Sequence, residues 1–145
     1  MSNQRTNDVD QLNSFLRGEL SAVETYGQAL GKIDEQRSLS VLRENRASHE
    51  RRADALRQYI RSIGGQPSQE SGAWGTFAKA VEGGAAALGT GAAIAALEEG
   101  EDHGLADYRR DLSELSAESR VFVTTELLPL QQRTHEALST LKSKR

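Results

Sequence analysis

The chain has 145 residues, a net charge of −3 at neutral pH and no cysteine. This length suits one domain with a full hydrophobic core, and the lack of cysteine excludes disulfide scaffolds, thiolate metal sites and thiol redox chemistry. The mildly acidic balance argues against an electrostatic nucleic-acid binder. The N-terminus has no apolar signal segment and no uncharged run is long enough to cross a bilayer. We therefore expect a cytoplasmic protein with neither nucleic-acid nor membrane partners.

Apolar residues recur at three- and four-residue spacing through most of the chain, which contains only two prolines. This periodicity is typical of amphipathic helices that bury one face. Asn7 or Asp8 is the predicted N-cap of the first helix, because either side chain can accept hydrogen bonds from the first turn. The sequence predicts an all-α chain whose four long helices lie at residues 8–32, 36–63, 90–113 and 117–142.

The links between the helices define the predicted topology. Short links join the first helix to the second and the third to the fourth, so each pair forms an antiparallel helical hairpin, at 8–63 and 90–142. A long crossover, residues 64–89, joins the hairpins, and apolar residues at helical spacing within it predict a short helix near 73–86. One long crossover between two hairpins is the ferritin-like form of the four-helix bundle, and we expect residues 1–145 to form a single such domain.

A pattern of glutamate followed by tyrosine occurs twice. The segments "GELSAVETYGQAL" and "GEDHGLADYRRDL", which begin at Gly18 and Gly100, both place a Glu two helical turns before a Tyr within an apolar stripe. The segments "LRENRASHE" and "LPLQQRTHE" likewise repeat a histidine in the second helix of each hairpin. The chain has three tyrosines and three histidines, and two of each stand at these matched positions. We infer an internal repeat in which each hairpin contributes one Glu and one His to a shared centre.

The repeated acidic and imidazole side chains form a candidate metal centre: Glu19, His49, Glu101 and His135. An ionised carboxylate in an apolar stripe is strongly disfavoured unless a proton, a cationic side chain or a metal ion neutralises it. Oxygen and nitrogen donors without sulfur suit iron, manganese or zinc. Tyr26 and Tyr108 are placed to donate a hydrogen bond to the carboxylate of the opposite hairpin and so to orient a metal ligand.

Five segments, which together span nearly the whole chain, carry a resemblance to known proteins: "GELSAVETY", "SHERRADALRQYIRSIGGQP", "GAWGTFAKA", "ALEEGEDHGLADY" and "LLPLQQRTHEAL". Through them the chain resembles the ferritin-like superfamily, and within it a bacterial family of four-helix proteins catalogued as a domain of unknown function. The resemblance implies that the four candidate residues are metal ligands and that Tyr26 and Tyr108 support them by hydrogen bonds.

The chain departs from the ferritin-like di-iron pattern at two positions. Di-iron proteins of this class carry a bridging glutamate three residues before the histidine of a metal-binding helix. Here those positions hold Arg46 and Gln132. Bridging carboxylates hold two metal ions close together and neutralise their charge, whereas an arginine repels a cation.

Two interpretations of the centre therefore stay open. In the first, the four candidate residues hold one divalent metal ion, or two weakly, and Arg46 turns aside to pair with one of three acidic residues: Glu44, Glu50 or Glu98. In the second, no metal binds and Arg46 enters the core to pair with Glu19 or Glu101. Neighbouring side chains would then complete a buried polar network: Asn45, Gln131, Gln132 and the two tyrosines. A fully connected network of this kind can set helix register and order.

Three function classes fit a ferritin-like bundle. The first is iron handling, or oxygen or peroxide chemistry in stress, at the Glu/His centre. The second is a metal-free scaffold or interaction module with a buried Arg/Glu/His/Tyr network. The third is a DNA-protecting shell, which the acidic charge disfavours. The fold alone does not decide whether the protein is an enzyme. We expect a homo-oligomer, with a dimer favoured.

Overall fold

The computed structural model describes residues 3–71 and 89–144, and within these ranges it contains helices but no β-strand. Three helices are regular, with these bounds: α1, Asn3–Leu30; α2, Gln36–Ser62; α3, Thr90–Asp111. The fourth helix, α4, has three consecutive segments: Ala117–Phe122, the π-helical turn Val123–Leu127, and Leu128–Ser143. A 3-10 turn, Leu112–Glu114, precedes α4.

The four helices form the predicted bundle of two hairpins. α1 packs along α2, α3 packs along α4, and the hairpins meet through contacts of α2 with α4 and of α1 with α3. The prediction of an all-α four-helix bundle is therefore confirmed, while the short helix predicted near 73–86 lies outside the described residues. In the part of the chain that the structure describes, every helix is too short or too polar to cross a membrane.

The apolar core is divided into two layers. One layer includes Ala22, Leu42, Leu97 and Leu138. The other includes Leu16, Leu56, Tyr108 and Leu127. On every helix a buried polar residue falls between the two layers: Glu19, His49, Glu101 and Gln131. Burying each large aliphatic side chain stabilises the folded state by about 1.5–3 kcal/mol. The two apolar layers therefore stabilise a bundle that carries one polar layer at its middle.

The start of α1 differs from the prediction. The helix begins at Asn3, so neither Asn7 nor Asp8 caps it. The buried carboxylate of Asp8 instead accepts hydrogen bonds from the backbone N–H of Ser116, at 2.9 Å, and from the hydroxyl of Ser119, at 2.7 Å. Ser116 is the N-cap of α4. Asp8 therefore joins the start of α1 to the start of the last helix.

Two glycines, Gly64 and Gly65, follow the end of α2. Gly64 has a φ of +86°, a left-handed conformation that favours glycine, and the N–H of Gly65 donates to the carbonyl oxygen of Ile60 at 2.9 Å. A Cβ atom on Gly65 would lie 2.6 Å from Cγ2 of Val9 in α1. The chain can leave α2 along α1 because no side chain is present at this position.

Candidate functional site

Three of the four predicted metal ligands meet at the centre of the bundle. His49 Nδ1 lies 2.8 Å from Glu19 Oε2, and His49 Nε2 lies 2.8 Å from Glu101 Oε2. The helices α1, α2 and α3 supply one of these side chains each, and all three are buried. The helical period places each of them on an inward face between apolar turns. One imidazole therefore bridges the two buried carboxylates.

Each repeated tyrosine donates a hydrogen bond to the carboxylate of the other hairpin, as the repeat predicts. Tyr108 donates to Glu19 Oε1 at 2.9 Å, and Tyr26 donates to Glu101 Oε2. Asn45 in turn donates to the hydroxyl oxygen of Tyr26 at 3.1 Å. Burial and the adjacent carboxylate raise the pKa of both tyrosines well above the ordinary value, so both remain donors.

A buried arginine, Arg52, completes the charged cluster. It is 0% exposed, and its Nε lies 3.4 Å from Glu19 Oε2. The guanidinium also donates to Gln131 Oε1 and, at 3.1 Å, to the hydroxyl of Thr134. The sequence prediction missed this residue. The available signal was its position one turn after His49, which places both side chains on the same helix face.

The last helix contributes an amide and a hydroxyl to the centre. Gln131 Nε2 donates to Glu101 Oε1 and to the Glu101 backbone oxygen, both at 2.9 Å. Thr134, which the sequence prediction also missed, donates to Glu101 Oε1 at 2.7 Å. A Cβ atom on Gly104 would lie 3.1 Å from Gln131 Nε2. Glycine at this position therefore lets the amide approach α3 closely.

His135, the fourth predicted ligand, lies outside this cluster. Its Nε2 contacts Asp102 Oδ1 instead, and its side chain is 25% exposed. Gln132 is half-buried and makes no hydrogen bond to the cluster in the described ranges. The predicted four-residue ligand set is therefore not assembled, and the structure corrects the placement of these two residues.

A π-helical turn lies in α4 a few residues before Gln132 and His135. Val123–Leu127 forms a wider turn just before Pro129, whose nitrogen has no hydrogen to donate to the preceding turn. Through this region buried residues recur at uniform four-residue intervals rather than alternating threes and fours: Ser119, Val123, Leu127 and Gln131. After the turn, the inward face carries Gln131 and Thr134 in place of His135.

Arg46 lies on the outer side of α2 and does not enter the core. Its Nε donates to the backbone oxygen of Val23 at 3.2 Å and lies 3.7 Å from Glu50 Oε1. The side chain is 41% exposed. Arg46 therefore does not pair with a buried carboxylate, as the metal-free interpretation expected, but turns aside towards Glu50, as the metal-binding interpretation expected. Arg46 and Arg52 lie at equal distances along α2, one before His49 and one after it. The rotation of α2 in the bundle decides which of the two arginines is buried.

Burial and charge have opposite effects on the pKa values of the cluster. Burial raises the pKa of Glu19, but Arg52 and His49 outweigh it and leave that pKa below its ordinary value. Burial also raises the pKa of Glu101, and His49 and Arg52 again lower it further than burial raises it. Burial lowers the pKa of His49, but the two carboxylates more than reverse this effect and the pKa lies above its ordinary value.

His49 is therefore an imidazolium in this arrangement. Both ring nitrogens face carboxylate oxygens at hydrogen-bond distance, so both must donate, which a neutral ring cannot do. Two carboxylates and two cations then balance one another. Buried opposite charges compensate for lost hydration only when further hydrogen bonds satisfy them, and the tyrosines and α4 supply those bonds.

The side chains in this arrangement do not fit an iron, manganese or zinc ion. A metal-binding histidine needs a nitrogen lone pair, whereas both nitrogens of His49 are engaged as donors. The guanidinium of Arg52 lies against Glu19 and would repel a divalent cation at that carboxylate. Within residues 3–71 and 89–144, no group of three or more His, Cys, Asp or Glu side chains is arranged to hold a metal ion.

Comparison with known proteins assigns the chain to a family. The family described as Domain of unknown function (DUF2383) matches residues 7–114, from the first turns of α1 to the 3-10 turn that follows α3. The chain belongs to this family. The matched region of this DUF2383 member carries Glu19, His49 and Glu101 but ends before α4. No curated protein matches the chain.

A solved structure shares the fold of this DUF2383 member. It is described as a ferritin-like, diiron-carboxylate protein from Bacillus anthracis strain Ames. The two chains are 17% identical, the match covers 98% of this chain and 99% of that one, and the TM-score is 0.79. The likeness confirms the predicted ferritin-like fold. At this identity it assigns no role to individual residues.

Proposed function

We propose that this protein is a metal-independent ferritin-like scaffold or interaction module whose buried centre is neutralised by its own cations. Arg52 and protonated His49 take the part that metal ions play in neutralising the central carboxylates of ferritin-like di-iron proteins. One observation carries this proposal. The guanidinium of Arg52 is fully buried against Glu19 and donates hydrogen bonds to Gln131 and Thr134 of α4.

The cluster has a structural use in such a scaffold. It connects all four helices through charged and neutral hydrogen bonds, and a fully satisfied polar network specifies one helix arrangement where apolar layers alone tolerate several. The stability of the bundle should depend strongly on each charged residue of the cluster. Removing one member of a buried ion pair lowers the free energy of unfolding by about 3–5 kcal/mol, because the other charge is left uncompensated.

Replacing Arg52 tests the proposal. Arg52→Met keeps an unbranched apolar stem but removes the charge, and Arg51→Met makes the same change at the adjacent, exposed position. We expect Arg52→Met to lower the free energy of unfolding by about 3–5 kcal/mol and Arg51→Met to change it by less than about 0.5 kcal/mol. Thermal melting with and without iron, manganese or zinc completes the measurement. The melting temperature of the wild type should not depend on the metal.

The opposite results would overturn the proposal. A metal ion that binds only the folded wild type at about 100 times its dissociation constant adds roughly 2.7 kcal/mol to the free energy of unfolding. Such a rise, together with stoichiometric metal in protein purified without an affinity tag or chelator, would make the centre a metal site.

Iron or oxygen handling is the second candidate function. It is supported by the convergence of Glu19, His49 and Glu101 and by a fold shared with a protein described as diiron-carboxylate. It requires Arg52 to leave the centre and His49 to lose its extra proton. Arg52→Met should then bind metal more tightly than the wild type and be stabilised by it. If neither protein responds to metal, this candidate is eliminated.

A further inference from the structure

A cavity of about 190 Å³ lies at the end of the bundle where α1 and α4 begin and α2 ends. Its lining includes Gln4, Arg5, Asp8, Tyr59, Ser116 and Glu118. Gln4, Arg5 and Glu118 are exposed, whereas Asp8 is 3% exposed. The exposed residues therefore form the mouth of the cavity, and Asp8 lies on its inner side. A cavity of about 150 Å³ can hold benzene, so this one has room for a small organic molecule.

The carboxylate of Asp8 fixes the direction of the hydrogen bonds around the cavity. It accepts from the hydroxyls of Ser116 and Ser119, the latter at 2.7 Å. An ionised carboxylate only accepts hydrogen bonds, so each serine uses its one hydroxyl hydrogen on Asp8. The oxygen of Ser119 lies 3.0 Å from the hydroxyl oxygen of Tyr59 and must therefore accept a hydrogen bond from it. Tyr59 in turn uses its own hydroxyl hydrogen on Ser119.

The polar side chains at the mouth and wall of the cavity thus offer acceptors. The hydroxyl oxygens of Tyr59 and Ser116 keep lone pairs after their hydrogens are used. Gln4 donates its amide nitrogen to Asp8 at 2.9 Å, which leaves its amide oxygen as an acceptor. The carboxylate of Glu118 is a further acceptor and carries a negative charge. A ligand that hydrogen-bonds to these groups must bring the hydrogens itself.

The charges of the lining favour a cation. Asp8 and Glu118 carry two negative charges, and the exposed Arg5 carries one positive charge. An ammonium group has one positive charge and three N–H donors, so it matches both the net charge and the acceptors. An anion would meet two carboxylates, and hydroxyls whose hydrogens already bond to other groups.

The remaining part of the lining suits a short hydrocarbon. Ile63 and Tyr59 are its apolar and aromatic residues. The ring of Tyr59 stacks on Phe122, with 4.2 Å between ring centroids and an interplanar angle of 9°. This stacking holds the ring in one orientation. Removing a hydrocarbon chain from water against such a surface is favourable.

We propose that this cavity binds a small organic molecule that carries a primary ammonium group. The ammonium donates hydrogen bonds to the oxygens of Tyr59, Ser116 and Glu118. The hydrocarbon part lies against Ile63, and Asp8 orients the hydroxyls without contacting the ligand. This inference goes beyond the scaffold function and does not depend on it, because the cavity and the central charged cluster share no residue.

Three probes with the same four-carbon chain test the chemistry of the ligand: n-butylammonium, n-butanol and butyrate. The measurement is an NMR titration of the wild type that follows the backbone amide signals of Ser116 and Ser119. We expect n-butylammonium to shift these signals saturably, with a dissociation constant on the order of 1 mM. It should bind at least about tenfold more tightly than the other two probes, because a hydrogen bond to a charged group is stronger than one between neutral groups. No saturable shift with n-butylammonium, or equal affinity for n-butanol or butyrate, would overturn the proposal.

Two variants of the lining test the acceptors. Tyr59→Phe removes the hydroxyl but keeps the ring, and Glu118→Gln removes a charge at an exposed position and should leave the fold intact. We expect each variant to bind n-butylammonium about tenfold more weakly. Glu126→Gln makes the same charge change at an exposed position of α4 outside the lining, and salt screening should leave its affinity within about twofold of the wild type. Unchanged affinity in both lining variants, or an equal loss in Glu126→Gln, would overturn the proposal.

Discussion

At the scale of single residues, the protonation of His49 links the buried centre to pH. Its pKa in the folded protein lies above the ordinary value of 6.5. The stability gained from this shift is fully present below pH 6.5 and is lost as the pH rises through the folded pKa. Glu19 and Glu101 have pKa values below the ordinary 4.5, so their contribution is present above pH 4.5 and is lost as the pH falls through the folded values. The cluster contributes most between these limits.

Replacing His49 should remove the alkaline part of this dependence. His49→Gln leaves two carboxylates with one cation, so we expect a loss of about 3–5 kcal/mol near pH 6. The fall in stability above pH 6.5 should be absent from the variant. Urea unfolding from about pH 5 to 9 measures both effects. His103→Gln, at a side chain that is 44% exposed, is the control. An equal alkaline slope in His49→Gln and wild type would contradict the prediction.

At the scale of the helices, α4 carries one local irregularity just before the residues that it contributes to the site. The turn Val123–Leu127 accommodates an additional residue within the helix, and two threonines there satisfy backbone oxygens with their hydroxyls. Each residue of a regular helix advances the side-chain direction by about 100°, so one inserted residue changes which side chains face inward after it. Gln131 and Thr134 face the centre after this turn, at positions that match the buried Asn45 and Ser48 of the regular helix α2.

Shortening the π-helical turn tests this explanation. Deleting Thr125, an exposed residue of the turn, should convert it to a regular α-helical turn and rotate one part of α4 away from its core contacts. We expect a loss of more than about 4 kcal/mol, or a rearranged bundle. Thr125→Ala removes only the hydroxyl bond to Val121 and should stay within about 0.5 kcal/mol. A deletion as stable as Thr125→Ala, measured by denaturant unfolding, would show that the turn does not set the register.

At the scale of the whole molecule, Asp8 joins the two hairpins near one end of the bundle. Its carboxylate accepts hydrogen bonds from the first residues of α4, more than a hundred positions later in the chain. Burial raises its pKa, but the hydrogen bonds from Ser116 and Ser119 outweigh burial and lower it below 3.8. This contribution to stability is therefore present above pH 3.8 and is lost as the pH falls through the folded pKa.

The predicted homo-oligomer stays a prediction, which sedimentation velocity would check.

Asp8→Asn should weaken this connection while keeping the shape of the side chain. We expect a loss of about 1–3 kcal/mol at neutral pH, because the charged acceptor is removed while its donors remain. The acid-induced loss of stability should also be smaller than in the wild type. Asp10→Asn, at an exposed position on the same helix, should change the free energy of unfolding by less than about 0.5 kcal/mol. Equal effects of the two variants in urea unfolding would show that Asp8 does not join the hairpins.

The sequence by itself determined the four helices, the two hairpins and three of the charged residues at the centre. Apolar spacing and short links are local properties that the chain displays directly. Glu19 and Glu101 could be found because carboxylates in apolar stripes are rare and occur here in a repeat. His49 could be found because it lies on the inward face of a regular helix. Their hydrogen bonds with the tyrosines follow from the same repeat.

Only the tertiary structure decided which charges meet in the core. Arg46 and Arg52 both lie one turn from His49, and the rotation of α2 against its neighbours buries one and leaves the other at the surface. His135 follows the sequence repeat, but its side chain lies against Asp102, while Gln131 and Thr134 of α4 reach the centre. The rotation of a helix depends on the packing of all four helices together. A π-helical turn, which adds one residue to a helical turn, leaves the apolar pattern of the sequence nearly unaltered. Neither property can be read from local spacing.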